Sequence, residues 1–185
     1  MKFCGECGST VVQIVPEGDN RLRDVCTVCQ VVHYQNPKMV VGTLPEWEDK
    51  VLLCRRAIAP QYGKWTLPAG FMENNESTLQ GALRETEEEA GAQVEILGLF
   101  TLCNLPHIHQ VYLIFRARLL NLNFSPGFES LEVKLFTEAE IPWGEIAFLA
   151  VEHTLRQYFE DRRKGGYAFH IADIGRRNAL AEDDV

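Results

Sequence analysis

Gly70-Phe71-Met72-Glu73-Asn74-Asn75-Glu76, then seven residues, then Arg84-Glu85-Thr86-Glu87-Glu88-Glu89-Ala90-Gly91, is the stretch from which the rest of the chain can be read. Ser77 is placed to cap a helix, with Gln80 three residues on reaching back to complete a capping box. Leu79, Ala82, Leu83, Thr86 and Ala90 then recur at helical spacing, and Gly91 can end the helix in a left-handed cap. On that helix Glu85, Glu88 and Glu89 stand at i, i+3 and i+4, so their carboxylates share one face. Carboxylates that close repel one another unless cations lie between them, and hard divalent ions such as Mg²⁺ or Mn²⁺ suit oxygen ligands. Arg84 can hold the carboxylates by charge-assisted hydrogen bonds. A run of glutamates is otherwise a solvated helix face, and on the glutamates alone the two readings stand level. Gly70, Glu76 and Arg84 at fixed offsets tip the balance toward a metal site.

Outward from this helix, apolar runs bounded by turn residues predict strands at Met39–Leu44, Lys50–Cys54, Val94–Leu102 and Val111–Leu120. They are expected to form a mixed sheet. A second helical stripe runs from about Glu145 to Lys164 and stops at Gly165-Gly166. The expected organisation is a small unit over 1–38, the main domain over 39–164 and a C-terminal tail over 165–185, frayed at its acidic end Glu182-Asp183-Asp184-Val185.

The first 38 residues are too few to build a core without a staple. Cys4-x2-Cys7 and Cys26-x2-Cys29, eighteen residues apart, have the spacing of a four-thiolate zinc site. Such a site has no open coordination position, so its zinc is structural. Cys54 and Cys103 lie in apolar runs and read as inert buried thiols.

The stretch from Gly70 to Ala92 resembles the Nudix box, G-x5-E-x7-R-E-U-x-E-E-x-G-U with U bulky and apolar. Gly70, Glu76, Arg84, Glu85, Glu88, Glu89 and Gly91 match it, while Thr86 and Ala92 depart at the two U positions, which are packing sites. The zinc ribbon, Tyr34–Gly42, Gly63–Gly70 and Gly127–Phe136 are similar to the ADP-ribose and FAD pyrophosphatase branch, the plant chloroplast FAD pyrophosphatases above all. The resemblance implies a Nudix α/β/α sandwich of the α/β class, with a mixed sheet, preceded by the ribbon. It implies catalytic Mg²⁺ or Mn²⁺ on Glu85, Glu88 and Glu89, supported by Arg84, and cleavage of FAD or ADP-ribose to AMP and the other monophosphate. Relatives place a catalytic or metal-binding glutamate in the Phe128–Phe136 segment. Glu129 and Glu132 are the candidates there, with Glu132 preferred as general base, although either could be a solvated loop carboxylate. Zinc-ribbon NADH pyrophosphatases share the layout, but Leu102-Cys103-Asn104-Leu105-Pro106 replaces their Ser-Gln-Pro-Trp-Pro-Phe-Pro signature, so NADH stands second. A nucleotide-sensing module that has lost catalysis is the rival class, yet no carboxylate of the box is missing.

Arg55 and Arg56 follow an apolar strand, so alternation sends them to opposite faces and one could bind phosphate, a surface salt bridge standing level with that reading. Tyr112 and Phe115 could stack on a base or isoalloxazine ring, although strand aromatics are more often core. The five histidines show no paired ligand spacing and receive no role.

The 185 residues carry a formal net charge of -8, which disfavours a broad nucleic-acid face and leaves a small nucleotide held through metal ions as the expected partner. No apolar run approaches membrane length, and Met1-Lys2-Phe3-Cys4-Gly5 lacks a signal-peptide core. The expectation is a cytoplasmic protein without membrane or nucleic-acid partners, with the ribbon structural or forming a homodimer.

Overall fold

Short strands between cysteine turns make up the N-terminal unit, Met1–Asn36, in the computed structural model, which describes residues 1–175. Strand β1 (Val11–Ile14) pairs antiparallel with β2 (Arg23–Cys26), and β2 with β3 (Val32–His33). Its buried residues are few, chiefly Cys4, Asp24, Val25 and Cys26, and Asp24 accepts hydrogen bonds from Gln13 and Gln35. So small a core leaves the cysteines to hold the fold.

From Pro37 onward the chain forms a second unit around one mixed sheet. Its strands are β4 (Lys38–Trp47), β5 (Lys50–Arg56), β6 (Trp65–Thr66), β7 (Ala69–Phe71), β8 (Val94–Leu105), β9 (Gln110–Leu119), β10 (Ser130–Phe136) and β11 (His170–Asp173). The order is β10-β5-β4-β9-β8-β11, with β6 on β5 and β7 on β4; β4/β9 and β8/β11 run parallel and the other pairs antiparallel. Helix α1 (Thr78–Ala90) covers one face, packing Ala82 on Val41 and Phe115, and Ala90 beside Leu52 and Cys54. Helix α2 (Leu149–Lys164) covers the other with Val151, Leu155, Tyr158 and Phe159 against Leu44, Leu53, Phe100 and Ile114. This is the expected α/β/α sandwich. Among the described residues no helix is long and apolar enough to cross a membrane.

Helix α1 is set at both ends. The Ser77–Gln80 capping box closes its start, and Gly91 ends it in the left-handed region with its N–H on the Glu87 carbonyl, 2.8 Å. The next carbonyls are met from the following loop: Ser125 N–H donates to Ala90 at 2.9 Å and Gly127 N–H to Glu89 at 3.1 Å. Thr86, where the family pattern is apolar, donates its hydroxyl proton to the Ala82 carbonyl, 2.7 Å. Its oxygen is then free to accept the proton of buried Thr43 on β4, 2.6 Å away. The pair is self-satisfied, which lets a polar residue fill a packing position.

Two expectations need correction. Helix α2 begins at Leu149, four residues later than its apolar stripe suggests, because Trp143–Glu145 is a 3₁₀ turn after Pro142, and fully buried Ile146 is extended and bridges Trp65. Ala147 N–H bonds the Trp65 carbonyl at 2.8 Å, so this backbone serves the sheet rather than the helix. The region after Lys164 is likewise more than a tail. Asp161, buried on α2, accepts from Ala168 N–H at 2.9 Å and contacts His170 Nε2 at 2.8 Å, steering the chain back so that β11 joins β8. The acidic end expected to fray, 182–185, lies outside the described residues.

The approach of Gly127 to α1 leaves no room for a side chain, since a Cβ there would lie 1.6 Å from the Glu88 carbonyl oxygen. Gly127→Ala should cost about 2 kcal/mol or more, as overpacked substitutions do, and lower the melting temperature by roughly 5 °C. Gly144→Ala, where a Cβ meets nothing within 4 Å, is the control and should change stability by less than about 0.5 kcal/mol. Thermal unfolding of both variants reads the difference, and equal melting temperatures would refute the packing account.

Candidate functional site

The four sulfurs of Cys4, Cys7, Cys26 and Cys29 all lie within 4.8 Å of one another. Individual separations are 3.4 Å for Cys7–Cys26, 3.5 Å for Cys7–Cys29 and 3.7 Å for Cys4–Cys29. Four thiolates at about 2.3 Å from a tetrahedral zinc stand about 3.8 Å apart, so spacing and soft donor set both fit zinc. Val28 and Cys29 N–H groups point at Cys26 Sγ, each at 3.4 Å, and lower its pKa, and Glu6 N–H points at Cys4 Sγ at 3.4 Å. His33, given no role from the sequence, brings Nε2 to 3.2 Å from Cys4 Sγ. Cys54 and Cys103 are fully buried, and burial raises both thiols, Cys103 to about 11. Inert thiols were expected there.

The second site is a cleft of about 890 Å³ in the main unit, near the upper end of the roughly 300–1,000 Å³ typical of ligand pockets. Glu85, Glu88 and Glu89 line it from α1, Ala69, Gly70 and Phe71 from β7, Arg56 from β5 and Tyr112 from β9. Gly70 is needed for close approach, since a Cβ there would meet the Glu85 carboxylate oxygens at 2.4 Å. Ala69 N–H bonds Glu89 Oε2 at 3.0 Å. The loop before α1 is tied to the helix by one side chain. Arg84 holds both oxygens of Glu76 at 2.8 and 3.0 Å, Glu85 Oε1 at 2.7 Å, Glu88 Oε2 at 3.0 Å and the Phe71 carbonyl at 3.3 Å.

Charge follows from this arrangement. The Arg84 guanidinium, with help from Glu73 N–H, holds Glu76 down at about 2. Burial pushes Glu85 up despite Arg84, and the charges of Glu88 and Glu129 add to the rise. Glu89 is pushed up to about 7, first by burial and then by the charges of Glu85 and Glu129, against the opposing Ala69 N–H and Arg56. Two carboxylates raised in this way beside Glu88, all three hard oxygen donors lining one cleft, fit a divalent cation such as Mg²⁺ or Mn²⁺. Glu85 and Glu88 turn oxygens toward Arg84 and Glu89 turns one to Ala69 N–H, so they do not meet at a point, and among the described residues only the cysteine quartet has its ligand atoms gathered within 4.8 Å.

Not every candidate comes to the cleft. Glu129 lines it, whereas Glu132, the preferred base, sits on β10 against Arg55, 4.0 Å away, and does not. Strand alternation explains this, since β10 pairs Glu132 with Arg55 along the sheet edge while Glu129 precedes the strand. Arg56 is buried on the cleft wall, its Nε donating to the Pro60 carbonyl at 2.9 Å and its guanidinium over the Phe148 ring at 5.1 Å; Arg55 donates instead to Gly63. Tyr112 lines the cleft but is 93% buried. Phe115, three residues on, faces the opposite side of the sheet and packs in the α1 core, so the pair cannot share a ring-stacking role. The cleft also takes Phe128, Phe148, His107 and Ile174, none singled out from the sequence; only Phe128, beside Glu129, carried a local signal.

A family model described as NUDIX domain matches residues 37–164, and one described as Nudix N-terminal, a zinc ribbon, matches residues 2–35. A solved structure described as a NUDIX hydrolase from Nitrosomonas europaea is 59% identical with a TM-score of 0.92, covering 95% of this chain and 100% of its own. The NAD-capped RNA hydrolase NudC of Photobacterium profundum is 28% identical over 160 residues, which are 83% of this chain and 58% of that protein. An ADP-ribose pyrophosphatase of Methanocaldococcus jannaschii is 26% identical over 113 residues, 59% of this chain and 67% of that protein. The chain spans about half the length of the NudC relatives it matches.

The thiolate geometry carries its own expectation. Protein purified without chelator should contain about one zinc per chain by elemental analysis, and Cys26→Ser should lose it. Loss should disorder the N-terminal unit first, seen as amide exchange rising in residues 1–36 ahead of the main sheet. Zinc-free protein with an intact ribbon would contradict the assignment.

Proposed function

The chain belongs to the Nudix family, and we propose that it hydrolyses the diphosphate bond of a nucleoside diphosphate derivative, ADP-ribose or FAD before others, releasing AMP and the second monophosphate. The observation that carries this reading is the gathering of Glu85, Glu88, Glu89 and Glu129 on one wall of a cleft large enough for more than a diphosphate.

Glu85, Glu88 and Glu89 would hold the divalent ions. When bound, such ions supply charge neutralisation for the diphosphate and make water a stronger acid. Arg84 keeps the carboxylates oriented and is itself fully engaged by Glu76, Glu85 and Glu88, so it serves position rather than proton transfer. Glu129 replaces Glu132 as the proposed general base, because a base must reach the proton it removes and only Glu129 faces the cleft. It takes the proton of the water that attacks phosphorus, as the bond from that phosphorus to the bridging oxygen breaks. Arg56, buried and anchored on Pro60, offers a fixed positive charge toward the phosphates.

ADP-ribose and FAD come first because the resemblance outside the box points to that branch, and one of the relatives is an ADP-ribose pyrophosphatase. NADH, or the NAD cap of an RNA, is the second reading. It is favoured by the likeness to NAD-capped RNA hydrolases, while the net charge of -8 speaks against an extended RNA surface.

Turnover of ADP-ribose, FAD, NADH and a nucleoside triphosphate should be compared with Mg²⁺ and with Mn²⁺, and kcat/KM should be greatest for ADP-ribose or FAD. A clear preference for NADH would favour the second reading, and a preference for the triphosphate would overturn both. Glu88→Gln should lower kcat by at least about 100-fold with little loss of stability, since Glu88 is largely exposed. Glu129→Gln should lower kcat by about 100-fold or more, whereas Glu132→Gln stays within about threefold. The reverse order for Glu129 and Glu132 would restore Glu132 as base, and activity surviving in Glu88→Gln would remove the metal assignment.

A further inference from the structure

Phe128 stands at the cleft mouth, 98% exposed, next to the proposed base Glu129. Apolar side chains near half exposure, such as Leu79 and Ile108, are ordinary on any surface. A phenylalanine left almost wholly in water gives up nearly all of the free energy its ring would gain from burial. Nor does the exposure come from a loose loop tip. Gly127 N–H bonds the Glu89 carbonyl at 3.1 Å, Ser130 N–H bonds the Gly127 carbonyl at 3.1 Å, and Ala57 N–H bonds the Glu129 carbonyl at 2.8 Å. Residue 128 is therefore bracketed by backbone bonds to the glutamate helix on one side and to the chain leaving β5 on the other. The steric lock at Gly127, with no space for a Cβ, fixes the same point.

The other two phenylalanines on the cleft wall are engaged, with Lys38 over Phe71 at 4.9 Å and Arg56 over Phe148 at 5.1 Å. Among the described residues no ring stacks on Phe128 and no cation lies over it. Tyr112 and Phe115, the aromatics that the sequence put forward, are both buried. We propose that Phe128 is a preformed stacking platform for the flat heteroaromatic ring at one end of the substrate. This rests on reading the cleft as a site for a nucleoside diphosphate derivative, and it names the contact that recognises one of its ends. The loop is already ordered, so a ring settling on it meets little further ordering cost. Consecutive Cα atoms lie about 3.8 Å apart, so ring and phosphate of one nucleotide can engage Phe128 and the neighbourhood of Glu129 together. The ring could be adenine or isoalloxazine, which share the flat, polarisable face that stacking needs.

The test is binding rather than turnover. AMP, FMN and ribose 5-phosphate, which has no aromatic ring, are titrated by calorimetry into the full chain and into Phe128→Ala, Phe128→Leu and Phe128→Trp. In Phe128→Ala the dissociation constant for AMP or FMN should rise about tenfold, the scale of one base stacked on one aromatic side chain. Phe128→Trp should restore it, Phe128→Leu should not, and ribose 5-phosphate should bind all four proteins alike. The nucleotide whose affinity moves identifies the ring. Unchanged AMP and FMN binding in Phe128→Ala, or full affinity in Phe128→Leu, would overturn the proposal. So would conversion of a wild-type dimer to monomers by Phe128→Ala, because a second copy would then be what covers the ring. A wild-type chain that hydrolyses none of the four substrates yet binds AMP or FMN in a Phe128-dependent way would fail the hydrolase reading while leaving the platform standing.

Discussion

Carboxylates gathered on one helix face repel one another, and burying two of them raises the cost, so the main unit is organised around making α1 tolerable. Glu85 and Glu89 are almost fully buried, and Glu89 is held near neutrality at about 7 chiefly by that burial. Arg84 offsets the crowding by gripping Glu76, Glu85 and Glu88 at once, which also fastens the preceding loop to the helix. The β7 backbone comes close enough for Ala69 to donate to Glu89, and a Cβ at residue 70 would crowd the Glu85 carboxylate that Arg84 holds. The C-terminal end imposes the matching demand on Gly127. The glycines, the arginine and the distant glutamate are thus parts of one electrostatic arrangement, each required by the presence of the others.

The sheet divides labour between its faces. Residues 113 and 115 of β9 serve the α1 side, while 112 and 114 serve the α2 side and the cleft. A strand can therefore offer the site only every second residue. Tyr112 takes its turn but is enclosed by Val40, Leu105 and Ala150. Side chains that reach into the cleft with freedom to meet a ligand come instead from connections at the strand ends, where a rigid scaffold presents loops.

Much of this was legible in the sequence. Helix α1, its two caps and its acidic face follow from spacing alone, as do the four cysteines and the opposite facing of Arg55 and Arg56. Where the structure places a residue or an element otherwise than the sequence suggests, the deciding contact is remote or is a count of two. Tyr112 and Phe115 are three apart, and strict alternation already separates them; treating both as stacking residues overlooked that parity. Glu129 and Glu132 differ only in which side of the β10 start they fall, a boundary that Ala57 and Arg56 fix from the neighbouring strand. Strand β11 depends on Asp161 capturing Ala168 and His170, a pairing that no local pattern in 165–175 announces. The late start of α2 has the same origin, because Ile146 and Ala147 give their backbone to Trp65 before the helix can claim it.

Catalytic and selective functions separate on physical grounds. Oxygen-rich carboxylates and the cations they attract read charge and the phosphate oxygens, which every nucleoside diphosphate derivative presents in the same way. Discrimination among such substrates must come from groups that meet what flanks the diphosphate, where one missing contact changes binding by a factor rather than abolishing it. In this chain the groups beyond the glutamates fall into two sorts. Arg56 is buried and bonded and the backbone of β7 is paired with β4, so their positions are common to any ligand. Phe128 is bonded through its backbone and free at its ring, which is the combination that selects without adjusting. The loop that ends in Gly127 therefore does two things at once. It closes the C-terminal carbonyls of the glutamate helix, and it sets beside the proposed base a ring that the fold itself has left unburied.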